Sequence, residues 1–237
     1  MLVERQIAIE KSLHEAFDIP ELQKRLSKED YEKLMECRKI YHYHKGDIIF
    51  DDGEQPKGVY FIEKGTAKLS KAGAYGKDQI LKFIKEGDMI GYRSLLCGEE
   101  FQARAEAMTD VEVAFIPTED FMHLLEVDPK VAYAMLKKIA YELGEYSNTI
   151  TFLAQKTVRE RLAEILLLLE LKLGTDPEGF IKISLTREEI ANLIGTATES
   201  AIRLISEFKN DRLIEVEGRN IKILNHEKLI KLGHVIM

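Results

Sequence analysis

The chain has 237 residues, 45% hydrophobic and 32% charged, which is enough length and apolar content for two ordinary domains with cores of their own. Two cysteines, Cys37 and Cys97, are too few for a disulfide framework, a cysteine zinc finger or a four-cysteine iron–sulfur cluster, and they suit a reducing cytosol. The net charge of −7 argues against wholesale electrostatic binding of nucleic acid, but from Thr151 onward 13 Lys and Arg face 13 Asp and Glu, so the N-terminal part carries the whole deficit.

The first residues, MLVERQIAIEKSLHEAF, carry charge from the fourth position and offer no signal-peptide core. The longest aliphatic run, Ile165 to Leu169, is far short of a membrane span. A cytoplasmic chain with no membrane partner is the expectation. From Leu13 to Arg38 the sequence suggests short helices, with Ser27 as an N-cap and Asp30 three residues on. From Tyr41 the texture changes. Frequent glycines separate short β-rich segments such as DIIF, VYFIEKG, TAKLSKA, QILKFIKEGDMIG and VEVAFIP, which predicts an antiparallel sandwich or jelly roll.

Pro129 suits the first turn of a long helix. Along it Ala132, Leu136, Ile139, Leu143, Tyr146, Ile150 and Leu153 recur at alternating steps of four and three, an a/d seam. Two readings fit: a two-chain coiled coil, or one helix packed on its own sheet. Thr157 with Glu160 forms a capping box, so a new helix starts there and Ala154–Lys156 is the expected hinge. The loop GTDPEGF follows, then a second capping box, Thr186 with Glu189. LIEVEGRNIKIL alternates around Glu217–Asn220 as a hairpin does.

TREEIANLIGTATESAIRLISEF reads as helix, tight turn, helix. Ile190, Ile194, Ala201 and Leu204 supply apolar contacts, Ala191 is small where the helices cross, and Gly195 supplies the positive φ of the turn. This is the pattern of a helix-turn-helix, with the hairpin as a wing. Glu199 and Arg203 stand one turn apart on its second helix. Arginine can bond guanine O6 and N7, and glutamate can accept from cytosine N4. The alternative is a surface i,i+4 ion pair.

With these segments in order, the chain resembles the cyclic-AMP receptor protein/FNR family of bacterial transcription regulators over nearly its whole length. The residues that carry the resemblance are KGDIIFDDGE, VYFIEKGTAKLS, the heptad helix, VRERLAEILLLL and the helix-turn-helix. The resemblance implies an α+β chain: a cyclic-nucleotide-binding-type β-roll with N-terminal helices over 1–128, a dimerisation helix over 129–155 with Leu136, Ile139, Leu143, Ile150 and Leu153 in its seam, and a winged helix-turn-helix over 156–237. It implies a homodimer on a near-palindromic operator in double-stranded DNA. The family's E-x-x-x-R pattern falls on Glu199 and Arg203, which predicts a half-site with a central G·C pair, with Thr198 and Ile202 against thymine methyls. Thr186, Arg187, Arg219 and Lys222 are candidate DNA-backbone contacts, and the GTDPEGF loop is a candidate contact for RNA polymerase.

The resemblance also places an effector pocket around Gly91, Tyr92, Arg93, Gln102, Tyr146 and Ser147. Cyclic-AMP binders have a glutamate after the glycine and an arginine after the loop. Here Tyr92 follows Gly91, and Phe101-Gln102-Ala103 holds no arginine, which argues against cyclic AMP and leaves the effector unknown. An iron–sulfur cluster lacks its cysteines. The six histidines keep haem open, and Cys37 or Cys97 keeps a thiol-redox sensor open. No P-loop, Rossmann glycine motif, G-x-S-x-G or HExxH is present, which speaks against an enzyme. A cyclic-nucleotide-binding-type regulatory module without DNA function is the alternative that shares the β-roll.

Overall fold

In the computed structural model, residues 17, 19–73 and 77–235 are described. The expected helix start at Leu13 and the candidate ligand His14 lie outside them. Among the described residues, helices α1 (Ile19–Arg25) and α2 (Lys28–Cys37) come first. Ser27 caps α2 as its position predicts: its Oγ accepts from the Asp30 amide at 3.0 Å and donates to the Asp30 carboxylate at 2.6 Å.

Eight strands follow among the described residues: β1 (Lys39–Tyr43), β2 (Ile48–Phe50), β3 (Gly58–Lys64), β4 (Thr66–Ala72), β5 (Asp78–Lys85), β6 (Met89–Ile90), β7 (Arg104–Ala107) and β8 (Val111–Pro117). They form two four-stranded sheets, ordered β1-β8-β3-β6 and β2-β7-β4-β5, in which the β1–β8, β8–β3, β3–β6, β2–β7 and β7–β4 pairs are antiparallel, as the glycine-punctuated short strands predict. One core cluster draws on both sheets through Phe50, Ile62, Ala67, Ile84, Ala105 and Val113. Its centre is aromatic: the rings of Phe50 and Phe101 stack with centroids 3.9 Å apart, and Tyr60 leans on Phe50 at 5.5 Å.

The stretch from Gln79 to Gly91 reads as one extended segment in sequence. The structure breaks it at the turn after Lys85, where the Asp88 carboxylate accepts from the Lys85 amide at 3.0 Å. Helix α3 (Tyr92–Cys97) then interrupts the strands, entered through Gly91 at φ 87°, a left-handed conformation that favours glycine. Six residues are too few to show a helical period, so α3 was hidden in β-like surroundings. Helix α4 (Thr118–Val127) follows β8. A second cluster packs Leu22, Leu34, Phe121 and Leu124 of the helices onto Val59, Met89 and Tyr92.

Helix α5 (Pro129–Gln155) begins at the proline, as expected, and runs for 27 residues. Val131, Ala134, Met135 and Lys138 are its buried positions. The heptad row is a different face: Leu136, Leu143 and Ile150 are 63%, 69% and 68% exposed. The periodicity therefore does not come from packing α5 on its own sheet.

Contacts divide the chain within α5. One unit holds the described residues up to Ala72 with Leu81–Gly144, and the other holds the described residues of Gly73–Ile80 with those from Glu145 onward. In the second unit α6 (Val158–Leu173) starts at the predicted capping box: the Thr157 amide donates to Glu160 Oε2 at 2.6 Å, and the Glu160 amide donates to Thr157 Oγ1 at 3.4 Å. Because α5 continues through Gln155, the helix break narrows from the expected Ala154–Lys156 to Lys156 and Thr157. The remaining elements are α7 (Arg187–Ile194), α8 (Thr198–Asn210), β9 (Ile214–Glu217), β10 (Asn220–Ile223) and α9 (His226–Gly233). Helix α9 packs on α6, with Leu229 fully buried and His226 Nε2 2.6 Å from Glu170 Oε2.

Candidate nucleic-acid interface and effector pocket

The second predicted capping box opens α7: the Thr186 amide donates to Glu189 Oε2 at 2.9 Å and the Glu189 amide donates to Thr186 Oγ1 at 3.1 Å. Gly195 ends the helix at φ 62°, ψ 54°, and the Thr196 amide donates back to the Ala191 carbonyl at 3.0 Å. Helix α8 packs on α7, and Ala201, Leu204, Ile205 and Phe208 of α8 and Ile190, Ala191 and Ile194 of α7 are all buried. Ala191 and Ala201 are 1% and 0% exposed, so the small residues sit inside, where two backbones approach.

The opposite face of α8 is open. Glu199, Ile202 and Arg203 are exposed, and Thr198 is the half-buried first residue of the helix. The carboxylate that pairs with Arg203 is Glu207, with Arg203 Nε 3.8 Å from Glu207 Oε1; the surface pair weighed for Glu199 is not the one that forms. The hairpin β9–β10 is antiparallel with Glu217 opposite Asn220, so Gly218 and Arg219 make a two-residue turn, Gly218 at φ 59°. Arg187 holds this turn, its Nη2 donating to the Gly218 carbonyl at 2.9 Å. Lys222 lies 3.8 Å from Glu215 across the hairpin and over the Phe180 ring, while Arg219 is exposed at the tip. Thr186, Arg187, Arg219 and Lys222 are thus gathered around the start of α7 and the hairpin. The Thr186 hydroxyl is already engaged with Glu189 at 3.1 Å.

The GTDPEGF loop is ordered by Asp176, whose Oδ1 accepts from the amides of Glu178 and Phe180, each at 2.9 Å.

In the other unit Tyr92 is buried and its hydroxyl donates to the Glu142 carboxylate. Lys82 Nζ lies 2.8 Å and Lys138 Nζ 3.2 Å from the same carboxylate. Burial opposes ionisation of Glu142, but the two ammonium groups and the hydrogen bonds from Lys82 and Tyr92 outweigh it and hold the carboxyl down at about 2. Arg93 is exposed and 3.3 Å from Glu99, and Gln102 is exposed. Arg104 makes a two-point contact with Asp51 at 2.8 and 2.9 Å, which lowers the Asp51 carboxyl. Tyr146 and Ser147 are exposed residues of α5 beyond Gly144. The Cys37 thiol is pushed up to about 11 by burial first and by the Asp120 carboxylate second, which disfavours thiolate chemistry there.

Sequence reasoning missed Tyr92's partner Glu142 and Arg203's partner Glu207. Glu207 shares with Glu199 the four-residue spacing from Arg203, so spacing alone does not choose between them.

Residues 40–128 match the cyclic nucleotide-binding domain family and residues 160–232 the Crp-like helix-turn-helix domain family. The chain is 30% identical over 194 residues to the fumarate and nitrate reduction regulatory protein of Vibrio cholerae, covering 81% of this chain and 77% of that protein. It is 30% identical over 193 residues to the cAMP-activated global transcriptional regulator CRP of Salmonella typhimurium, covering 80% of this chain and 91% of that one. In fold it is similar to a putative Crp/Fnr-family transcriptional regulator of Eubacterium rectale, with a TM-score of 0.77 at 21% identity over 90% of this chain and 98% of that one. It is similar also to FixK2 of Bradyrhizobium japonicum, with a TM-score of 0.74 at 24% identity over 84% of this chain and 99% of that one.

Proposed function

Because the chain belongs to the Crp/Fnr family of transcriptional regulators, a non-enzymatic family, we propose that it works as a homodimer on an inverted-repeat operator, with Arg203 and Glu199 of each α8 reading base edges. The observation that carries this reading is the open face of α8. Its guanidinium and carboxylate stand one helical turn apart, opposite a face buried in its own domain. Arg203's fork matches guanine O6 and N7, and Glu199 can accept from a cytosine amino group. Thr198 and Ile202 flank them with methyl groups suited to thymine. Arg219 at the hairpin tip and Lys222 supply charge for phosphates, and Arg187 serves by holding the hairpin turn in place. The exposed row of α5 supports pairing of two copies, because leucines at this spacing need a partner surface.

The effector in this reading is not cyclic AMP. A cyclic phosphate needs a cation, and the position after the cassette loop holds Gln102. Where such binders carry a ribose-binding glutamate, Tyr92 turns its hydroxyl to Glu142 instead. The nearby arginines are matched to Glu99 and Asp51.

One gel-shift experiment tests both parts, using an inverted repeat whose half-sites carry a central G·C pair flanked by thymines, with no added cyclic nucleotide. Wild-type protein is expected to bind, and Arg203→Ala to lose about tenfold per half-site. Undiminished binding by Arg203→Ala would refute base reading, and binding that appears only with cyclic AMP would refute the effector reading.

A further inference from the structure

We propose that Glu207, fixed in place by Arg159, is the positioning residue that sets Arg203's specificity. The proposal rests on the reading that Arg203 contacts a base. Arg159 projects from α6 onto the second half of α8. Its Nη1 donates to Glu207 Oε2 and its Nη2 to Asp211 Oδ2, each at 2.9 Å, and its guanidinium carbon sits 5.0 Å from the centroid of the fully buried Phe208 ring. The fork of Arg159 is therefore held by two carboxylates and a ring, and it holds one oxygen of Glu207 in turn. The other oxygen, Oε1, faces Arg203 Nε at 3.8 Å.

An exposed i,i+4 pair contributes little when both long side chains must be ordered to form it. Here one partner is already ordered by a neighbouring helix, so only Arg203 loses freedom. With Nε turned to Glu207, the two terminal nitrogens of Arg203 remain for the base. Glu207 also places a negative charge beside the reading face, where it repels phosphate and partly cancels Arg203's attraction to any duplex. The two effects act in opposite directions on specific and nonspecific binding. A residue that merely stabilised α8 would not separate them.

The test measures full-length protein on three duplexes: one selected by the wild-type protein from a random pool, the same duplex with the G·C pair exchanged in both half-sites, and an unrelated duplex. Glu207→Gln is expected to lower the preference for the selected over the exchanged duplex about tenfold while raising affinity for the unrelated duplex about threefold. Arg159→Lys, which keeps the charge but cannot bridge both carboxylates, is expected to lower the preference in the same direction. Arg203→Ala abolishes the preference if the underlying reading holds. If Arg203→Ala abolishes it and folded Glu207→Gln keeps it within about twofold, the inference is wrong and base reading stands. Equal loss of binding to all three duplexes by Glu207→Gln also overturns the inference. A preference that survives Arg203→Ala overturns base reading and, with it, the role given to Glu207.

Discussion

Leu143→Asp is expected to give a folded monomer that binds an inverted-repeat duplex about a thousandfold more weakly than the wild-type protein. Leu143 is the most exposed residue of the α5 row, at 69%, and lies between Leu136 and Ile150 at heptad spacing. In a single chain that position faces water, so an aspartate there disturbs no core. In a symmetric pair the same row meets its copy, and each leucine taken out of water contributes about 1.5–3 kcal/mol. The substitution removes that gain and sets two carboxylates near the twofold axis, where desolvation costs several kcal/mol per ion. The affinity falls because a half-site held by one chain lacks the second, linked contact. Sedimentation and fluorescence anisotropy on one preparation would show it. A dimeric Leu143→Asp protein, or a monomer with full affinity, would contradict the assignment of the row.

The second large effect belongs to the N-terminal unit. Glu142→Ala is expected to destabilise that unit by about 3–5 kcal/mol, because it strands the buried ammonium of Lys138 and takes away the carboxylate that Tyr92 and Lys82 address. The same carboxyl makes stability depend on pH. Its folded-state value lies at about 2 against an ordinary 4.5, so its contribution is complete above about 4.5 and is lost as the pH falls toward 2. Urea unfolding followed across that window is expected to steepen with acid in the wild type and to flatten in Glu142→Ala. Equal slopes in the two proteins would show that Glu142 is not the titrating group.

Both effects start from features with different visibility in the sequence. The row on α5 and the capping boxes at Thr157 and Thr186 are local, written within one or a few helical turns, and they are found where spacing predicts them. The positive φ of Gly195 and the two-residue hairpin turn are local in the same way. Glu142 is different. Its partners Tyr92 and Lys82 lie 50 and 60 positions away, and no periodic pattern links them. Arg159 and Glu207 are separated by 48 positions, so their bond depends on how α6 and α8 pack. Helices α3, α4 and α9 were missed for a simpler reason: at six, ten and eight residues they span fewer than three turns. The open face of α8 was legible as a pattern of residue types. The partner that Arg203 takes on it was not, because Glu199 and Glu207 are equally spaced from it and only the neighbouring helix breaks the tie.

In the pairing proposed above, the exposed α5 row is the same on every copy of the chain, so it cannot distinguish a sound partner from a defective one. An allele that spoils α8 and spares α5 would draw intact chains into mixed pairs with one blind half. In a cell carrying both alleles, damage to the reading head is then dominant, whereas damage to the row itself is recessive, since a chain that cannot pair leaves its neighbours alone.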